Sequence, residues 1–462
     1  MIKNRLILGL LILCSFVSIS QQINYNDFIN NVILYNPLSK KASNETKYGE
    51  LKYKSARGNY DPIINGDYNQ KQFSGSNYYS LLSSEIKQPI FTSQYLKLGY
   101  DYSVGNYVNP ETTTPPKGIG FVGVEVGLLQ GLFIDKRRAE VLKAKQYLTY
   151  YNAEKNNQLN QLLYDASLKY VDWLFVTKQI NLNNYFLKLS QERYKGVKEL
   201  AAIGEKAPID SIEAAILLQS RLLDVKSTII ENQKIENELA IFNINNDNST
   251  ASYSKFNSND SLDLFFNKII TVKSISYTDS ISSNPLLLKY NALQNILKIE
   301  NRLKKEMIKP VLNVKYNFLY NNTTNNVNFS PNNYKWGLNM SFPLLLRSAT
   351  NDYKMSKVIT NTNELEISNK TNEFNLKLNA LKQNSLMLSQ QITIAERNVR
   401  YSKQLVEAEK EKFNNGESTL FLLNTRENKW QEFEIKLSEY KLKYIKTILS
   451  IIYINGNLEY KL

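Results

Sequence analysis

The sequence predicts a mixed α and β membrane protein in which the strands of a transmembrane β-barrel run on into long antiparallel α-helical coiled-coil hairpins, built from two internal repeats. Three observations predict it. Short stretches alternate apolar and polar residues, two very long stretches lack glycine and proline and keep heptad spacing, and the chain repeats itself internally. Alternation with a period of two is the mark of a strand with two unlike faces, and a heptad is the mark of a helix with a partner along its length.

The chain opens with Lys3 and Arg5, an apolar run from Leu6 to Val17, and small residues at Ser18 and Ser20. Residues 1–20 therefore read as a signal peptide, with a mature chain starting near Gln21. The run is shorter than the roughly 20 apolar residues a spanning helix needs, and no later stretch reaches that length. Any crossing of a membrane is then made by strands. The single cysteine, Cys14, follows Leu13, where a lipoprotein signal would carry a small residue. Its removal with the leader leaves neither cysteine nor histidine, which excludes disulfides, thiol nucleophiles, imidazole bases and Cys/His metal sites. No carboxylate pair, phosphate-cradling glycine loop or nucleophile elbow is present, so neither an enzyme nor a cofactor site is expected. The net charge of +14, or +12 without Lys3 and Arg5, is spread over helical stretches where Lys and Arg alternate with Asp and Glu. That pattern fits solvated helix faces rather than the clustered basic stripe of a nucleic-acid binder.

The repeat is visible at several points. Asn36-Pro37-Leu38 recurs as Asn284-Pro285-Leu286, and Pro62 recurs as Pro310, both at an offset of 248 residues. GVEVGLLQGLF from Gly123 matches GLNMSFPLLLR from Gly337 at offset 214, and AAIGEKAPIDS around Gly204 matches FNNGESTLFLL around Gly416 at offset 212. The chain thus divides into a first repeat at 21–245, a polar linker at 246–282 and a second repeat at 283–462. The drop in offset gives the first half about 34 additional residues, placed in a further hairpin between Tyr78 and Val108 that turns near Thr92–Gln94.

The strands follow the two prolines, YDPIINGDYN and IKPVLNVKYNF. Leu96, Leu98, Tyr100, Tyr102 and Val104 alternate with Lys97, Gly99, Asp101, Ser103 and Gly105. The same pattern holds for Val122 to Leu128, for Leu312, Val314, Tyr316, Phe318 and Tyr320, and for Tyr334, Trp336, Leu338, Met340 and Phe342. Half-buried sheets in soluble sandwiches alternate in the same way. Strands of ~10 residues with Tyr and Trp on the apolar side and polar loops at their ends favour lipid, with Tyr100, Tyr102, Tyr316, Phe318, Tyr320, Tyr334 and Trp336 as the membrane aromatics.

The helices come next. No glycine or proline interrupts Asp135 to Tyr194 or Ser348 to Asn415. Apolar heptad positions include Leu159, Ala166, Trp173, Ile180 and Leu187 in the first stretch, and Leu378, Leu388, Ile392, Ala395 and Val399 in the second. Short turns at Gly204 and Gly416 fold each long helix against its successor, giving two helical hairpins. A plain coiled-coil spacer would explain the heptads but not why each hairpin begins where strands end.

With DFINNVILYNPL and ARGNYDP, the strand-to-helix passages LLQGLFIDKRRAEV and SFPLLLRSATNDYKMSK, and the turns at GEKAPID and GESTL, the chain resembles the TolC family of outer-membrane factors over roughly residues 24–455. The resemblance implies a homotrimer: a trimeric barrel in the outer membrane and a helical tunnel in the periplasm, docked on a periplasmic adaptor protein and an inner-membrane pump. Physics agrees that one copy cannot suffice, since two to six strands leave open edges that lipid does not tolerate. The function implied is that of the outer-membrane channel of a tripartite efflux or type I secretion system, conducting cargo passively; the competing expectation is a coiled-coil surface stalk or adhesin with a barrel anchor. Docking would fall at the tunnel tip, on Gly204, Glu205, Asp210, Gly416, Glu417 and Ser418. Relatives close the tip with aspartates that would fall near Leu422 and Thr425, so the gate expected here is an apolar plug of Leu420, Phe421 and Leu422. Relatives usually have twelve strands, whereas six per chain would give eighteen.

Overall fold

A computed structural model describes residues 24–90, 93–242, 260–276, 281–320 and 330–456. The leader, about half of the polar linker (246–259 and 277–280), part of the turn near Thr92 and most of the loop after Tyr320 lie outside the described residues. The chain divides into two compact units, and each draws segments from both halves of the sequence.

One unit, residues 44–155 and 285–370, holds a six-stranded antiparallel sheet in the order β1 (Ile63–Phe73), β2 (Ser76–Pro89), β3 (Gln94–Val104), β4 (Ile119–Gly127), β5 (Val311–Tyr320) and β6 (Tyr334–Ser341). The additional residues of the first half form β2 and β3, paired in register from Ser80 opposite Val104 to Pro89 opposite Tyr95. Four strands thus come from the first half and two from the second, joined where Val122 faces Phe318. The alternation read to Val108 ends as a strand at Val104. Gly105 breaks it, with φ +142° and a backbone so close that a Cβ would lie 2.5 Å from the Tyr78 carbonyl oxygen. Gly99 is a close-approach glycine of another kind, since the Phe121 ring lies where its Cβ would be.

The flanking helices are α2 (Pro37–Arg57), the start of α3 (Lys136–Ala202), α6 (Pro285–Glu306) and the start of α7 (Arg347–Asn414). Proline at the first position of α2 and α6 costs nothing there, because that N–H has no partner inside the helix. Tyr151 of α3 packs on Gly49 of α2, and the Lys52 ammonium sits 3.5 Å from the centre of the Tyr147 ring. Lys143 pairs with Glu300 at 2.7 Å above a small core of Ile134, Ala139 and Leu303. On α6 and α7, Asn301 donates to Ser356 at 2.8 Å and Lys304 pairs with Asp352 at 3.2 Å.

The other unit comprises α1 (Tyr25–Tyr35), the rest of α3, α4 (Pro208–Ala240), α5 (Leu262–Ser276), the rest of α7 and α8 (Leu420–Asn455). Asn24 caps α1 by accepting from the Asp27 N–H at 2.9 Å. Its core is aromatic: Tyr25, Phe28, Tyr170 and Phe265 stack and cross at 5.0–5.4 Å between ring centres. The Tyr25 hydroxyl is fully enclosed against Ser167 at 2.8 Å, and burial raises its pKa. Asp263 ties α5 to Lys178 of α3 at 3.0 Å and Lys441 of α8 at 2.8 Å. Helices of 67 and 68 residues are about 100 Å long, and such lengths need partners throughout. Leu159, Ala166, Trp173, Leu378, Leu388, Ile392 and Ala395 are buried as their spacing predicts.

The two NPL motifs do equivalent work. Asn36 donates to the carbonyl oxygens of Ile241 and Phe242, just past the end of α4, at 3.4 Å each. Asn284 donates to that of Ile454, at the end of α8, at 2.6 Å. Each buried amide thereby satisfies carbonyls that a helix end leaves without partners.

Candidate functional site

Apart from a register shift after Lys71, odd positions pair with odd and even with even across β1 to β6, which sorts the sheet into two unlike faces. The even face is apolar and open: Ile64, Leu98, Val124, Leu338 and Met340 are exposed, Leu98 by 54%. Tyr100, Tyr102, Tyr316, Phe318, Tyr320, Tyr334 and Trp336 all lie on it, in the half of each strand farther from the helices. Tyr316 stacks on Tyr334 at 5.7 Å, and the Tyr100 hydroxyl donates to the Lys117 carbonyl at 2.6 Å. The odd face is polar, with Asn65, Asp67, Asn69 and Lys71 on β1 and Lys335, Asn339 and Ser341 on β6.

On that polar face the structure assembles a cluster the alternation did not reveal. Lys97 pairs with Glu125 at 2.8 Å and Glu85 at 3.6 Å, and Lys87 pairs with Glu125 at 3.2 Å. Lys97 and Glu125 are each only 8% exposed, whereas the apolar residues opposite them are open. Exposing Leu98, Leu338 and Met340 while burying Lys97 and Glu125 inverts the usual placement in a protein dissolved in water.

The second candidate site is the pair of hairpin turns. Gly204 and Gly416 take φ +81° and +80°, the left-handed conformation that ends a helix. The Glu205 N–H returns to the Leu200 carbonyl at 3.0 Å and that of Glu417 to Lys412 at 2.8 Å. Ser418 donates to Glu409 at 2.5 Å, and Asp210 lies in the first turn of α4. The two turns sit side by side: Val197, Ala214 and Leu420 form one core, with Lys206 stacked 4.7 Å from the Phe413 ring. The three proposed gate residues separate, since Leu420 is 3% exposed in that core while Phe421 and Leu422 are open. Alanine at Gly204 or Gly416 should each cost roughly 1–2 kcal/mol, the price of a Cβ in the left-handed region. Hydrogen exchange at Glu205 and Glu417 checks this, and unchanged protection would refute it.

Behind the tips lies a buried polar network. Arg193 of α3 forms an ion pair with Glu427 of α8 and donates to Asn424 at 3.0 Å, and Asn424 donates to Glu213 of α4 at 3.1 Å. Arg221 of α4 reaches Gln431 and Asn428, and Gln431 continues through Asn183 to Thr228 at 3.0 and 2.9 Å. Burial lowers the Arg221 pKa against the pull of Asp224. Charges in a heptad pattern read as solvated faces, but Arg221 and Glu427 are buried.

Among the described residues no group of three or more His, Cys, Asp or Glu could hold a metal, and no helix is long and apolar enough to cross a membrane.

No family profile and no characterised protein matches the chain by sequence. Its fold, however, is that of solved outer-membrane channels. The Campylobacter jejuni CmeC outer membrane channel is 12% identical, with 94% of this chain and 85% of that one covered and a TM-score of 0.64. The outer membrane protein VceC from Vibrio cholerae is 12% identical over 93% and 95%, TM-score 0.64, and the open state of the Neisseria gonorrhoeae MtrE outer membrane channel is 12% identical over 93% and 88%, TM-score 0.63. The resemblance to TolC-type channels thus holds at the level of the fold.

Proposed function

We propose that this chain is the outer-membrane channel of a tripartite efflux or type I secretion system, passing cargo without chemistry from an inner-membrane pump and periplasmic adaptor to the exterior. The observation that carries this reading is the six-stranded sheet with an open apolar face and, on its polar face, charges gathered at Lys97 and Glu125. Because the strand number is even, β1 and β6 run in opposite directions, so β6 of one copy can pair antiparallel with β1 of the next. Repeating that contact closes a ring with no edge left to lipid. Three copies of six give eighteen strands, and a lumen about half as wide again as twelve would enclose, since diameter grows roughly linearly with strand number. The matching roles of Asn36 and Asn284 support a chain built of two repeats. The adjacent turns bearing Gly204, Glu205, Asp210, Gly416, Glu417 and Ser418 form the adaptor-docking tip. Phe421 and Leu422 form an apolar constriction that excludes water, with Leu420 anchoring the turn behind them.

Single cysteines at Leu338 and Asn339, carrying a polarity-sensitive fluorophore in lipid vesicles, test the reading on adjacent residues of one strand. Position 338 should report hydrocarbon and position 339 water, and the purified assembly should be a detergent-dependent trimer that conducts ions. Water-like emission at both positions, or a monomer soluble without detergent, would overturn it.

A further inference from the structure

We infer that the cleft between α2 and α3, just beyond the helix-side end of the sheet, binds the phosphate headgroup of an anionic phospholipid, with an acyl chain running up the apolar face. This rests on the membrane reading above. The cleft has a volume of about 1020 Å³, and Lys54 and Arg57 from the last turn of α2 converge on it with Arg138 from the first turn of α3. Among the described residues of its lining Asp61 is the only acid, beside the cations Lys54, Arg57 and Arg138. Tyr53 and Tyr60 also line it. This is the chemistry of a phosphate site at a bilayer margin: guanidinium groups fork onto phosphate oxygens, and tyrosines bridge apolar and wet surroundings.

Its side and height agree. Ile90 lines the cleft and follows Leu82 and Ile86 on the even side of β2, and Gln88, two residues earlier on that side, donates to the Tyr60 carbonyl at 2.8 Å. Arg137 takes the other direction, stacking 4.2 Å from the ring of Tyr95 on the polar face. The seven aromatics mark the far end of the apolar face. The 11 residues of β3, whose Gln94 end lies beside the cleft, extend ~36 Å from Val104 to Gln94, which tilt shortens to about 25 Å, one hydrocarbon thickness. A zwitterionic headgroup would bring its own ammonium into a cationic cleft, so the preference is for an anionic lipid. Lys54 and Arg57 also suit the negative end of α2, but that role alone predicts no headgroup preference.

The test is native mass spectrometry of the delipidated assembly titrated with phosphatidylglycerol or with phosphatidylethanolamine of the same chains. Wild-type protein should retain phosphatidylglycerol at least fivefold better, and K54Q/R57Q, which leaves α3 intact, should abolish the difference. Adding R138Q should lower retention no further than the phosphatidylethanolamine level. Equal retention of the two lipids, or a preference unchanged by K54Q/R57Q, would overturn the assignment, and displacement by millimolar inorganic phosphate would give the cleft to a free anion instead. Protein that inserts and conducts yet shows no preference overturns only this inference; protein that never inserts overturns the channel reading as well.

Discussion

Replacing Arg193 with Met is expected to destabilise the helices behind the tips by about 3–5 kcal/mol, because it leaves Glu427 buried without its counter-ion. Glu427 is 4% exposed, and its other neighbours, Asn424 and Arg221, are already committed to Glu213 and Gln431. Hydrogen exchange of α3 and α8 amides near residues 193 and 427 reads this directly, as a loss of protection of roughly a hundredfold to several thousandfold at tenfold per 1.4 kcal/mol. The double variant R193M/E427L should recover most of the loss, since apolar groups of similar volume often replace a buried pair at little cost. A loss under tenfold in R193M would mean that water reaches Glu427 and the network is not sealed. The network joins α3, α4 and α8 near the turns, so a surviving R193M assembly should also show more frequent open-channel events in bilayers.

The second large effect falls on the sheet. Arg at Leu98 places a guanidinium near the middle of the apolar face, and should cost about 2–4 kcal/mol if lipid covers that face. Arg at Asn69, an exposed position on the polar face, should cost under about 1 kcal/mol as an ordinary surface change. The comparison is made by the yield of folded assembly against urea in lipid vesicles. Equal costs at the two positions would show that both faces meet water, and the barrel would be lost with them. Leu98 lies in the additional hairpin, so a large cost there also places β2 and β3 within the wall, where a hairpin folded outside it would tolerate the charge.

Much of this architecture is set by pattern, and pattern is local. Alternation along Leu96 to Val104 and Leu312 to Tyr320 states which residues share a face, because successive side chains on a strand point oppositely whatever the strand pairs with. Freedom from glycine and proline over Asp135 to Tyr194 and Ser348 to Asn415 states where long helices lie, and Gly204 and Gly416 state where they turn back. The sequence by itself also removed histidine and cysteine chemistry. What it could not determine was which polar residues would be enclosed. Lys97 reads as a water-facing residue until the register of β2, β3 and β4 brings Glu85 and Glu125 to it, and Arg193 reads as a solvated helix charge until α8 places Glu427 beside it. Leu420 likewise looks like its neighbours Phe421 and Leu422, and only the packing of the second turn on Val197 and Ala214 makes it core. Facing direction follows from the backbone period, but burial depends on which segments arrive, a neighbouring strand for Lys97 and helices more than 200 residues away for Arg193 and Leu420, and only the tertiary structure decides that.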